Sequence, residues 1–91
     1  MARLKTRLQS KLEAVLIKRF PAPATVKLDD HDGIIGVITS DEFARMDSLD
    51  RQNLIGEVVE SRLSPLERRR IQIIVGVTSD EGTGYLAGVA E

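Results

Sequence analysis

Between Ala2 and Phe20 the apolar residues Leu4, Leu8, Leu12, Val15, Leu16 and Phe20 recur mostly at steps of three and four, which sets them on one face of a helix. Phe20-Pro21-Ala22-Pro23 ends that helix, because proline disfavours helical geometry in the residue before it and has no N–H to donate. The period then falls to two. Thr25-Val26-Lys27-Leu28 alternates, Asp29-Asp30-His31-Asp32-Gly33 supplies turn chemistry, and Ile34 to Thr39 resumes a β-branched run, which together predict a β-hairpin. Gly33 is the position expected to take a positive φ, and Gly36 marks a bulge or a close approach to a helix.

Ser40 is placed to cap a short helix through Arg45, with Asp41 and Glu42 in its first turn opposing the helix dipole. Asp47 caps a longer helix whose apolar face is Leu49, Leu54, Ile55, Val58, Val59 and Leu63, and which ends before Ser64-Pro65. Ile71 to Val77 is the strongest strand signal. Ile71, Ile73, Val75 and Val77 fall on one face and Gln72, Ile74 and Gly76 on the other, and apolar residues on both faces place this strand inside the sheet. The pattern therefore predicts one α/β (α+β) domain ordered α-β-β-α-α-β over residues 1–81, with a three-stranded mixed sheet and helices packed on one face. Residues 82–91 read as a flexible tail.

Composition narrows the function. A chain of 91 residues closes a single core. Cysteine is absent, which removes disulfides, a thiolate nucleophile and zinc–thiolate sites, and fits a reducing, cytoplasmic location. Uncharged stretches such as Phe20 to Val26 and Ile71 to Ser79 fall far short of the roughly 20 apolar residues that span a bilayer. The basic start has no compact apolar stretch of the secretory kind, so neither a membrane partner nor a targeting peptide is expected. The carboxylates, hydroxyls, lysines and single histidine form no spacing that fixes a reaction. Ser40 beside Asp41 is explained by capping, and Gly82-Thr83-Gly84 lacks the length and lysine of a phosphate-binding loop. A binding domain, not an enzyme, is the reading, with no cofactor.

Charge is uneven. Residues 1–20 hold Arg3, Lys5, Arg7, Lys11, Lys18 and Arg19 against Glu13, a net charge of +5, and the remaining 71 residues carry −6. A basic helix on an acidic body is either a solvated face or a docking surface for an anionic partner. Arg68-Arg69-Arg70 precedes the last strand, where it either grips acidic or phosphate groups or shields an apolar strand from aggregation. The long helix carries Asp50, Arg51, Glu57, Glu60 and Arg62, an acidic balance unsuited to a recognition helix in a DNA groove. Any nucleic-acid contact must draw its charge from Arg3, Arg7 and Lys11 with Arg45 and Arg51. His31 sits among Asp29, Asp30 and Asp32; one histidine without cysteine cannot close a transition-metal site within one chain, and no metal is expected.

Three stretches carry a resemblance. Val37-Ile38-Thr39-Ser40-Asp41-Glu42-Phe43 joins a strand to a serine and a phenylalanine, Met46-Asp47-Ser48-Leu49-Asp50-Arg51-Gln52 with Ile55 makes an inter-helix turn, and Leu66-Glu67 followed by Ile71 to Ser79 and Asp80-Glu81 makes a last strand with an acidic close. In order and wording they resemble the BolA family of small α/β proteins over about residues 3–81. The resemblance implies a topology like that of class II KH domains, hence nucleic-acid contact through the helix pair, though the Gly-x-x-Gly turn of KH domains is missing. It also implies a monothiol glutaredoxin-like protein partner, which in that family shares an iron–sulfur cluster through a histidine near the last strand and a second ligand in the hairpin loop. This chain departs from that pattern. Gln52 follows Arg51 where the family has histidine, and Arg69, Arg70 and Ile71 stand where the cluster-ligand histidine falls. Only His31 matches the second ligand. The expectation is a divergent BolA-like adaptor or regulatory domain that binds a protein partner through its sheet edge, Arg68, Arg69 and Arg70, and the hairpin loop with His31.

Overall fold

A computed structural model describes residues 6–30 and 32–80. The elements run α1 (Arg7–Arg19), β1 (Thr25–Asp30), β2 (Ile34–Thr39), a 3-10 turn (Asp41–Arg45), α2 (Ser48–Arg62), the single-turn α3 (Pro65–Arg68) and β3 (Ile71–Val77). The order α-β-β-α-α-β and the three-stranded mixed sheet are as the pattern predicts. The tail at 82–91, Arg3 and His31 lie outside the described residues.

Each start is fixed by a side chain. Thr6 Oγ1 accepts from the Gln9 N–H, Asp47 Oδ1 from the Asp50 N–H, and Ser40 Oγ from the Glu42 N–H, satisfying donors that a helix start leaves open. The turn after Ser40 is a 3-10 turn instead of an α-helix. α3, absent from the sequence reading, is nucleated by a reciprocal capping box between Ser64 and Glu67 with Pro65 at its first position.

The sheet order is β1-β2-β3, with β1 and β2 antiparallel and β2 and β3 parallel. α1 lies against β1, α2 against β3, and the two helices touch, so one sheet face is covered. Leu12 and Leu16 of α1, with Phe20 capping its end, meet Ile34, Ile38, Phe43, Ile55, Val59, Leu63 and Ile74 in the core. Ile38 pairs with Gly76 and Ile74 with Gly36, so small and large residues alternate across the register. A Cβ on Gly76 would stand 2.7 Å from Phe43 Cζ; the missing side chain is the space the Phe43 ring fills. That ring meets Phe20 at 5.4 Å between centroids.

Four expectations need correction. β3 is an edge strand, and β2 is central. β3 is apolar on both sides because Ile74 faces the core while Ile73, 53% exposed, joins Ile35, 42% exposed, on an uncovered apolar sheet face. Leu49 is 66% exposed and off the core face of α2. β1 runs two residues further than its alternation showed, through Asp29 and Asp30. Gly36 approaches neither helix; a Cβ there would meet Leu28 Cδ2 of β1 at 2.5 Å. Gly33 does take a positive φ of 123°, and Asp32 shares it at 52°.

Candidate partner-binding cleft at the hairpin end

The chain leaves α3 through Arg69 and Arg70 and enters β3 beside the β1–β2 loop, because the Ile34 N–H donates to the Arg70 carbonyl at 2.7 Å. This brings together residues far apart in sequence. Thr6, Asp30, Asp32, Gly33, Arg69, Arg70 and Gln72 line an open cleft of about 630 Å³. The Arg69–Arg70 segment and the hairpin loop, paired on sequence grounds, share this surface.

Asp30 is the anchor. Its side chain is 5% exposed and accepts from Thr6 Oγ1 at 3.0 Å and from Arg70 Nη2 at 3.3 Å. Thr6 thus caps α1 and also ties it to β1. Gln72 Nε2 donates to the Asp32 carbonyl at 2.6 Å, holding the loop against β3. Arg69 is exposed and makes no ion pair among the described residues. The cleft therefore presents one uncommitted guanidinium beside a second that is half engaged, a donor array suited to carboxylates. Behind it Lys11 Nζ reaches both Glu67 oxygens at 3.0 and 2.9 Å. The Ser64 backbone N–H first, then Lys11, holds the Glu67 carboxyl below the ordinary range, and α3 is fastened to α1.

Arg68 leaves this group. It turns to the opposite side, with Nη1 3.9 Å from Glu60 Oε1. Of the nucleic-acid set, Arg7 is exposed at the start of α1 and Arg45 at the end of the 3-10 turn. That turn is bound to the far end of α1, where Arg19 donates to both Glu42 oxygens at 3.0 and 2.6 Å. Arg7 and Arg19 are about 18 Å apart by helical rise, so Arg7 and Arg45 serve opposite ends of the domain. Lys11 is engaged with Glu67. Arg51, expected as a phosphate contact, turns inward: Nε donates to the Met46 carbonyl at 2.9 Å, Nη1 to Gly76 at 3.1 Å and Nη2 to Phe43 at 2.8 Å.

Gln52, where the resemblance has histidine, donates to the Ile74 carbonyl at 3.1 Å. Together with Arg51 it covers outer carbonyls of the edge strand. The iron–sulfur group implied by the resemblance does not fit the described cleft. Among the described residues its side chains offer carboxylates, a hydroxyl, an amide and guanidiniums, with no imidazole, and the chain has no cysteine to supply a thiolate, whereas soft iron sites call for these ligands. Sequence reasoning missed Asp30, Thr6 and Gln72. For Asp30 the signal was present, since period two from Val26 and Leu28 carries it to the inward side. No family model matches the chain, and neither a curated protein nor a solved structure is significantly similar to it.

Proposed function

We propose that the chain is a non-catalytic, divergent BolA-like adaptor that binds a protein partner, of the monothiol glutaredoxin type or another with an acidic docking surface, through the cleft at the hairpin end. The observation that carries this reading is the joining of the hairpin loop to Arg69 and Arg70, with Arg70 braced by a nearly buried Asp30. Two regions that the resemblance makes the partner surface meet in one cleft, and arginine stands where a ligand histidine would be. Recognition then rests on guanidinium–carboxylate pairing and shape, without a shared cluster. A cytoplasmic site of action belongs to the same reading.

Calorimetric titration of the full chain with a monothiol glutaredoxin, cluster-free and cluster-loaded, tests it. Binding independent of the cluster, weakened at least about tenfold in an R69Q/R70Q double variant, is expected. Absence of binding in both forms, together with a salt-dependent shift of single-stranded RNA or DNA, would overturn the reading in favour of a nucleic-acid role.

A further inference from the structure

On the other side of the Arg68–Gln72 segment a groove of about 400 Å³ runs between α2 and β3. Its floor and walls include Ile55, Val59, Ile71 and Ile74, with Arg68 at one end. Two features of this groove have no explanation within the domain. Gly56 lies inside α2, where glycine disfavours the helix relative to alanine, yet a Cβ there would meet nothing within 4 Å. No internal packing requires the glycine. What it does is leave the helix wall open to a close approach of another backbone. The second feature is Arg68 Nε, which is buried without a hydrogen-bond partner among the described residues. Buried polar atoms are seldom left so.

We infer that this groove is the docking site for an extended peptide segment of the partner, in which an acidic side chain stands between aliphatic ones. The aliphatic residues lie on the apolar floor across Gly56. The Arg68 guanidinium, held among the described residues by a single long contact of 3.9 Å to Glu60, turns to meet the carboxylate with two parallel N–H groups. A polyphosphate chain is disfavoured, because Glu57 and Glu60 lie on the same helix as Gly56 and only one arginine lines the groove. Gln52 and Arg51 already hold the carbonyls of Ile74 and Gly76, so the stretch of edge presented to the peptide is the start of β3. The inference rests on the proposed adaptor role, and names the chemistry of the partner segment.

The test selects a random decapeptide library displayed on phage against the purified full chain, then titrates fluorescein-labelled winners by anisotropy. An aliphatic–acidic motif is expected, with affinity falling at least about tenfold in Gly56→Leu and in Arg68→Gln and unchanged in the R69Q/R70Q double variant. A circular dichroism melt checks the fold of Gly56→Leu, and Arg68→Gln, outside the core, supplies the second arm. Equal binding to both single variants, or winners without an acidic residue, would overturn the inference. Loss only in R69Q/R70Q would move the peptide to the cleft, leaving the adaptor role standing and the groove without one. A rise in affinity on removing residues 82–91 would make the chain's own tail the occupant and overturn it as well. Peptide binding in the groove together with a silent glutaredoxin titration would support the groove and remove that partner class.

Discussion

Replacing Arg51 by alanine removes, among others, the three hydrogen bonds to the carbonyls of Phe43, Met46 and Gly76. These carbonyls lie at the junction of the 3-10 turn, the start of α2 and the end of β3, so the guanidinium ties the first two, neighbours in the chain, to a strand end 25 residues further on. It also sits 5.8 Å from the centroid of Phe43, a core ring. Bonds from a charged donor contribute about 1.5 kcal/mol each at the low end, or about 4.5 kcal/mol for three. The bonds are only part-buried, so water takes over some of them, and a loss of about 2–3 kcal/mol is expected. Against a total stability of about 5–15 kcal/mol that is a large share, corresponding to roughly 10–20 °C in melting temperature. Arg51→Lys keeps the charge but lacks the planar fork, reaches one carbonyl in place of three, and is expected to lose about 1–2 kcal/mol. Urea unfolding followed by circular dichroism reads both. A loss below about 0.5 kcal/mol in Arg51→Ala, the range of ordinary surface substitutions, would refute the internal brace and return Arg51 to the set of available cations.

Gly56→Ala fills open space in α2 and is expected to stabilise the chain by about 0.5–1 kcal/mol in the same urea assay. Gly76→Ala pushes a methyl against the Phe43 ring, 2.7 Å from Cζ, and is expected to destabilise by about 1–3 kcal/mol, seen as a lower melting temperature. Acid weakens the fold through Glu42 and Glu67. Hydrogen bonding from Arg19 holds the Glu42 carboxyl below its ordinary 4.5, and the Ser64 N–H with Lys11 does the same for Glu67. A depressed folded-state pKa contributes stability that is fully present above the unfolded value and is lost as pH falls through the folded one. Stability should therefore decline below about pH 4.5, and Glu42→Gln or Glu67→Gln should flatten that decline in melting curves recorded from pH 6 to pH 3.

The elements were legible wherever a single physical signal ruled. α1 follows from its leucine spacing and its proline stop, and α2 from Asp47 and the Ile55–Val59–Leu63 stripe. What the pattern misjudged depends on neighbours that lie far off in sequence. An apolar strand can be central, or it can be an edge with one uncovered face; Ile71 to Val77 carries the same alternation in both cases, and the choice was made by α2 reaching over its outer side with Arg51 and Gln52. Asp29-Asp30 looked like turn chemistry because two adjacent acids are poor strand residues. Asp30 is nonetheless in the strand, since Thr6 and Arg70, 24 and 40 residues away, supply its hydrogen bonds. The cleft was half legible. Its two ends were named from the sequence, but Arg68, Arg69 and Arg70 were treated as one run, and the turn of backbone between α3 and β3 separates them into two surfaces.

The uneven charge is also given meaning by the fold. A basic segment ahead of an acidic body suggests an outside anion, yet the described contacts of α1 run inward along its length. Near its start Thr6 holds Asp30, in its middle Lys11 holds Glu67, and at its end Arg19 holds Glu42. Each of those three acids belongs to a different connection: the strand entering the hairpin, the turn before β3 and the turn after β2. α1 is therefore clamped across the sheet by its own domain's acids, at sites where exposed pairs contribute little singly but act together on one rigid helix. Cations engaged in this way attract a polyanion less than their number suggests. Among the described residues, Arg69 just before β3 is exposed and Arg68 is loosely held, while Arg7 and Lys18 of α1 and Arg45 of the 3-10 turn are exposed elsewhere on the domain. An acidic protein segment can meet Arg69 on one surface or Arg68 on the other without disturbing the clamp, whereas a nucleic-acid backbone tracking the basic helix through Lys11 and Arg19 would have to displace Glu67 and Glu42 and loosen the fold it binds.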